Sequence, residues 1–222
     1  TITQCELVDR KSTLHLNCTK KQITIILGSF MAEPLFIILA AGSSTRMGEP
    51  KALIEVCERP LIAFQIERIR RVSNSKIVVV TREDLEDDID GIIEIYDNVD
   101  YCINHEPEKG RTGSLQIAIS TVKDVSKIVV VPVDRPGWTI GTLKNLLKQN
   151  QSSCPMKEDK GGHPVLILGD DIDAIKKAKP DDSLRNLFKT YRFDVNDQFL
   201  HLNVDSKKDI ATLVQFAETL DY

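Results

Sequence analysis

The stretch FIILAAGSSTRMGEPK, residues 36–51, decides the fold. It opens as an apolar run of buried-strand length, Phe36 to Ala41, and breaks into a loop holding Gly42, Ser43, Ser44, Thr45, Arg46, Gly48 and Lys51. In open α/β sheets ligands bind beyond the carboxyl ends of the strands, which is where this loop sits. Gly42 and Gly48 let the backbone come close to a ligand, and consecutive N–H groups in such a turn form an anion nest. Arg46 offers a planar fork to phosphate oxygens and Lys51 a point charge. Together they fit a di- or triphosphate. Two common phosphate loops are excluded by spacing: Gly48 is followed by Glu49-Pro50-Lys51 rather than by G-K-[ST], and no G-x-G-x-x-G occurs here. Read alone, the stretch also fits a surface loop with two solvated cations.

Outward from this strand, the pattern alternates. PLIAFQIERIRRV places Ile62, Ile66, Ile69 and Val72 at helical spacing, with Pro60 suited to the first turn. KIVVVT (76–81) and KIVVVPV (127–133) read as further buried strands, IIEIYD (92–97) as a short one, and GSLQIAISTV (113–122) as a helix. TIGTLKNLLKQN is amphipathic. Residues 150–162 read as a polar loop, HPVLIL (163–168) as a strand, DDIDAIKKA and DSLRNLFKTY as short helices, and FLHLNV (199–204) as the last strand. SKKDIATLVQFAETL closes as a helix, with Ser206 and Asp209 at a capping-box-like start. Repeated βα units with doubly buried strands predict an α/β, three-layer αβα, Rossmann-like fold: a mostly parallel sheet with helices on both faces. Residues 1–30 stand apart. TITQCELV, STLHLNC and QITIILG suggest short strands, and we expect an appended extension at 1–30 and the functional domain at 31–222.

Length and composition fit this picture. The 222 residues are enough for one well-cored domain. A net charge of −4 gives no global reason to expect nucleic-acid binding, though a local basic pocket stays open. No apolar stretch approaches ~20 residues, so no membrane span is expected, and no secretory pattern is present. The five scattered cysteines form no C-x-x-C pair and read as free thiols of a cytoplasmic protein.

LAAGSSTRMGEPK closely resembles the L-A-[AG]-G-x-S-x-R-M-G-x-x-K signature of nucleotidyltransferases that activate small phosphorylated molecules with NTP. Within them it looks most like the molybdenum-cofactor branch, the molybdopterin cytidylyl- and guanylyltransferases. Four further segments are similar to that family in order: KGRTGSLQIAI (109–119), VVVPVDRPG (129–137), GGHPVLI (161–167) and LNVDSKKDI (202–210). The last departs from the usual T-P-E after Asp205. The resemblance implies that Leu39, Ala40, Ala41, Gly42, Ser43, Arg46, Lys51, Gly110 and Ser114 bind the nucleotide. Lys51, Arg46 and Asp134 would carry catalysis, Asp134 and Asp205 would hold Mg²⁺ (or Mn²⁺), and His163 and Arg135 would meet the acceptor. It also implies an NTP as partner, with CTP favoured by Ala41 and the G-G-H-P-V segment, and a phosphorylated acceptor such as molybdopterin. We expect a monomer or weak homo-oligomer, with neither nucleic acid nor membrane as partner. GTP, a sugar- or lipid-phosphate acceptor, and a nucleotide-binding accessory protein without turnover stay open.

The residues themselves bear on these roles. A carboxylate at the end of a strand is a helix cap or a metal ligand, and the turn made by Pro136 and Gly137 leaves no helix for Asp134 to cap at once. Asp205 reads either as a second ligand or as the residue before the Ser206 cap. Arg111 is a candidate phosphate or acceptor contact. Asp170, Asp171 and Asp173 read as a solvated helix start, and Lys176, Lys177 and Lys179 as its solvated end.

Overall fold

The Val- and Ile-rich runs become the centre of a sheet because their side chains alternate between two cores. The structure is a computed structural model and describes residues 3–9, 12–18, 33–42, 48–217 and 220. The chain divides into two compact units, Thr1–Glu33 and Pro34–Tyr222. In the first, β1 (Thr3–Asp9) and β2 (Ser12–Cys18) form an antiparallel pair, in register from Thr3 opposite Cys18 to Asp9 opposite Ser12. QITIILG lies outside the described residues.

The second unit runs β3 (Leu35–Leu39), β4 (Glu55–Val56), β5 (Arg59–Pro60), α1 (Leu61–Arg70), β6 (Ile77–Thr81), α2 (Glu86–Ile93), β7 (Val99–Ile103), α3 (Arg111–Ser120) and β8 (Lys127–Pro132). It continues with α4 (Ile140–Leu147), β9 (Ser153–Lys157), β10 (Lys160–Gly161), β11 (Val165–Leu168), α5 (Asp170–Lys177), α6 (Leu184–Leu187), β12 (Tyr191–Asp194) and α7 (Lys207–Phe216). Among the described residues the main sheet is ordered β10-β9-β11-β8-β3-β6-β7, with β12 beside β9. β3, β6, β7 and β8 pair in parallel, while β11 runs antiparallel to β8 and β9.

Phe36, Ile38, Val79, Val129 and Val131 face one core, covered by Ile62, Ile66 and Ile69 of α1, Ile89 of α2, Leu143 of α4 and Leu213 of α7. Ile37, Val78, Val80, Ile128 and Val130 face the other, covered by Leu115 and Ala118 of α3 and by Ile172 and Ile175 of α5. Each of these Val, Leu, Ile and Phe side chains stabilises the fold by about 1.5–3 kcal/mol when fully buried. The three-layer αβα architecture predicted from the buried runs is the one observed.

Four local expectations differ from the structure. IIEIYD is no strand: Ile93 extends the buried face that Ile89 begins, so 86–93 is helix, and Ile95 is left 76% exposed. The polar 150–162 loop contains β9 and β10, joined through Glu158 and Asp159, both at positive φ, the backbone of a tight hairpin turn. DSLRNLFKTY keeps only the short α6 before β12 begins. FLHLNV is not laddered. It instead docks into two glycine hollows, by backbone at one and by side chain at the other: a Cβ on Gly137 would lie 1.7 Å from the Phe199 carbonyl oxygen, and one on Gly162 would lie 2.6 Å from Leu200 Cγ.

That docking carries Asp205 to the carboxyl end of β8. Gly137→Ala forces backbone apart at this contact, a type of overpacking that costs about 1–3 kcal/mol. Calorimetry is expected to show its melting temperature fall by several degrees. Gly91→Ala, on an exposed face of α2 with open space around it, is expected to rise slightly. An unchanged Gly137→Ala melt would contradict the packing.

Candidate active site

Val133 extends the pairing of β8 with β3, its N–H donating to the Leu39 carbonyl at 3.1 Å. Beyond it the two strand ends part, and a cavity of about 320 Å³ opens between them and the start of α3. Leu39, Ala40, Ala41, Gly42, Lys51, Gly110, Ser114 and Asp134 line it, together with Arg111 and Pro107. So the sequence-predicted residues that the structure describes on the nucleotide side do converge. Ser43 and Arg46 lie outside the described residues.

Lys51 stands in a single 3₁₀ turn, Lys51–Leu53, anchored by the buried Ala52. Its Nζ donates to Asp134 Oδ2 at 3.1 Å and also to Asp205 Oδ1. The three side chains are mostly shielded, at 18%, 23% and 37% exposure for Lys51, Asp134 and Asp205. Two carboxylates thus meet at one ammonium. The Asp205 backbone N–H donates to Asp209 Oδ2 at 3.1 Å, and its side chain accepts from Asn203 Nδ2. Ser206 caps α7 by accepting from the Asp209 N–H at 3.3 Å. The cap is therefore the work of Ser206 and Asp209, which leaves the Asp205 carboxylate directed at Lys51.

The turn after β8 is held from behind. Gln65 Nε2 donates to the carbonyls of Pro132 and Val133 at 3.5 and 3.4 Å. The Asp134 carbonyl accepts from Val204 N–H at 2.9 Å. Arg68 donates to Pro136 O at 2.7 Å and to Trp138 O. Asp197 fixes the far end, accepting from Thr139 N–H at 2.9 Å and from its hydroxyl at 3.0 Å.

On the nucleotide side, Gly110 turns the chain into α3 at φ 106, where a side chain would be strained. Ser114, four residues on, accepts from Asn104 Nδ2 at 2.9 Å, while Asn104 Oδ1 accepts from Glu106 N–H at 2.9 Å. Asn104 is 3% exposed and sets the Ser114 hydroxyl. Sequence reasoning missed it because the strand preceding it, β7, went unread.

His163 begins the approach to β11 across a cis bond to Pro164. Burial pushes its imidazole down to about 4, and the guanidinium charges of Arg111, Arg135 and Arg185 push in the same direction, against a weaker pull from Asp134. Arg185, in α6, was not singled out in the sequence; it is one cation within a helix of ordinary composition. Arg135 Nη1 donates to the His201 carbonyl at 3.4 Å, and its Nε is buried without a hydrogen-bond partner among the described residues. By contrast, Asp170, Asp171 and Asp173 fill the first turn of α5, and Lys176 pairs with Asp173 at 3.2 Å.

Among the described residues no three His, Cys, Asp or Glu side chains gather as a metal cluster. Asp134 and Asp205 do fit a small hard cation of the magnesium type, which takes one or two carboxylates and completes its shell with water and phosphate oxygens. Asn203 Oδ1, beside Asp205, is a buried acceptor without a partner among the described residues, as such a shell would use.

Known proteins resemble this chain in sequence and fold. Molybdenum cofactor guanylyltransferase of Xanthomonas euvesicatoria is 33% identical over 124 residues, which is 56% of this chain and 59% of that protein's length. The chain thus spans about three-fifths of that relative. Among solved structures, Rv0371c of Mycobacterium tuberculosis superposes with TM-score 0.69 at 19% identity, covering 83% of this chain and 99% of that one. The same protein has been solved in complex with manganese. The 4-diphosphocytidyl-2C-methyl-D-erythritol synthase of Anaerococcus prevotii gives TM-score 0.65 at 20% identity, covering 88% and 99%. Residues 36–195 match the family model of the MobA-like NTP transferase domain, and the chain belongs to that family.

Proposed function

We propose that this protein is a divalent-metal-dependent nucleotidyltransferase that moves the NMP of an NTP onto a phosphorylated small molecule and releases pyrophosphate. The observation that carries this reading is the meeting of Asp134 and Asp205 at Lys51, where Lys51 and Asp134 line a cavity together with predicted nucleotide residues. An oxygen of the acceptor phosphate attacks the α-phosphorus, and the bond from that phosphorus to the bridging oxygen of the leaving pyrophosphate breaks. The attacking oxygen is already anionic, so the reaction asks for charge compensation rather than a strong base. Asp134 and Asp205 would hold the metal, Mg²⁺ or Mn²⁺, which supplies Lewis-acid stabilisation of phosphate oxygens when bound. Lys51 then exchanges its carboxylate partners for the α-phosphate, and Arg46 adds a second fixed charge to the triphosphate. Ser114, set by Asn104, meets the base or sugar. Arg135, His163, Arg111 and Arg185 face the acceptor.

CTP is the favoured nucleotide, on Ala41. Ala41 is buried at the cavity wall, and its methyl narrows the space beside the base, which suits a pyrimidine. The G-G-H-P-V clue weakens, because Gly162 is required by Leu200 whatever the base. GTP is the second reading, favoured by the identity to a guanylyltransferase. Molybdopterin is the proposed acceptor, in a cytoplasmic reaction carried by residues 31–222.

A thermal-shift panel of CTP, GTP, ATP and UTP with Mg²⁺ is expected to single out CTP; a null result with all four would sink the nucleotide reading. Pyrophosphate release with a pterin phosphate would separate an enzyme from a nucleotide-binding accessory protein. Lys51→Ala and Asp134→Ala are each expected to lose about two to three decades of turnover with the fold intact. In the absence of nucleotide, Lys51→Ala should bind Mn²⁺ more tightly than wild type, because two like charges are left without their ammonium. Turnover close to wild type in either variant would overturn the mechanism.

The pH behaviour follows from His163. It takes a proton near 6.5 in the unfolded chain and near 4 in the folded one. Between those values the unfolded state binds more protons, so stability rises with pH through that window and falls again on acidification. Thermal melts across it are expected to show reduced acid sensitivity in His163→Gln; identical slopes would contradict the assignment.

A further inference from the structure

Arg68 is an unusual residue for the buried face of a helix. It lies in α1 at 2% exposure, among Ile62, Ile66 and Ile69, where an apolar side chain would suffice for packing. Its guanidinium carbon sits 3.8 Å from the centre of the Trp138 ring and 5.2 Å from that of Phe64. Its N–H groups go to three main-chain carbonyls: Pro136 at 2.7 Å, Trp138, and Leu220 at 3.2 Å. Two of these carbonyls belong to the turn that starts at Asp134. Gln65, one helical turn earlier on the same helix, reaches the two carbonyls just before Asp134, those of Pro132 and Val133. The aspartate is thus bracketed on both sides by donors from one rigid helix.

We infer that Arg68 is a positioning residue for Asp134. It fixes the main chain that follows Asp134, whose carboxylate reaches the cavity, and through Leu220 it ties that stretch to a residue beyond α7. The planar fork matters here, because its two terminal nitrogens reach three separate carbonyls, a spread that the compact ammonium of a lysine does not have. With the fork gone, the 136–138 main chain is free to shift, and the Asp134 carboxylate shifts with it relative to Asp205. Groups hydrogen-bonded directly to a metal ligand typically change metal affinity or activity by about 10- to 100-fold when removed, and Arg68, which acts on the adjoining main chain, is placed on that same scale. The inference rests on the reading of Asp134 as a metal ligand.

The experiment uses the full chain and Mn²⁺ alone as probe, followed by electron paramagnetic resonance. Wild type, Asp134→Ala, Arg68→Met and Arg68→Lys are compared, with circular dichroism and melting curves recorded for each. Arg68→Lys keeps the charge and the stem. It is expected to fold, to bind Mn²⁺ about 10- to 100-fold more weakly than wild type, and to lower kcat while the KM for nucleotide stays near wild type. A residue that served packing alone would lower the melting temperature without moving the Mn²⁺ spectrum or splitting kcat from KM. Wild-type Mn²⁺ affinity and kcat in the folded Arg68→Lys protein would overturn the inference, whether or not Arg68→Met folds. If wild type bound Mn²⁺ no better than Asp134→Ala, the metal reading itself would fall, and the inference with it. If Asp134→Ala lost Mn²⁺ while Arg68→Lys kept it, only the positioning role would be lost.

Discussion

Lys51 between Asp134 and Asp205 is the interaction on which the site depends. Two carboxylates brought to one point repel each other and tend to hold a shared proton unless a cation separates them. The ammonium of Lys51 supplies that cation from the loop that follows β3, while the carboxylates arrive from the end of β8 and from the start of α7. Three stretches of chain far apart in sequence are thus joined by charge at the carboxyl edge of the sheet. On the proposed reading, a metal and a triphosphate take over the same charges, so the ligand-free site already has the electrostatic shape that the bound one needs.

Charge alone does not place the groups. Hydrogen bonds to the main chain do that, and nearly all of them come from buried polar side chains. Val204 N–H holds the Asp134 carbonyl, Gln65 and Arg68 hold the carbonyls on either side of it, and Asp197 holds Thr139. Gly137 then lets the 199–202 segment lie directly against this turn. A buried carbonyl without a donor carries a desolvation penalty of about 1–3 kcal/mol, so each of these bonds is worth most as something that cannot be lost.

The sequence revealed the parts of the fold whose cause is local. β3, β6 and β8 could be read because strands covered on both faces must be apolar at every position, and such runs stand out. Lys51 could be read because a sheet of this kind binds at its strand ends, whereas Gly110 and Asp134 were picked out by their resemblance to the family's motifs. The Ser206 cap was legible because its cause is local too, its partner Asp209 lying only three residues on. What stayed hidden depends on distant partners. Arg68 meets Leu220 across 152 residues, and nothing in PLIAFQIERIRRV indicates that its arginine is the buried one. Asn104 looks like a turn residue until Ser114 is found against it. FLHLNV alternates as a strand should, yet its surroundings offer it glycine hollows in place of a strand edge. The Glu158–Asp159 turn escaped because it adopts positive φ without glycine or asparagine to announce it.

Net charge hid the mouth of the site in a different way. A total of −4 averages over an acidic α2 and a region where Arg111, Arg135 and Arg185 act on one histidine. Burial above all, and then the three guanidinium groups, keep the imidazole neutral, so His163 can present a ring nitrogen but brings no charge of its own. That division suits an acceptor phosphate that must lie close to a second polyanion. On the proposed reading, the arginines would supply the attraction, the neutral histidine would add direction without competing for the same charge, and Lys51 would be left for the phosphorus that reacts. The orientation of the acceptor oxygen would thereby be separated from its activation, as in-line attack between two anions asks.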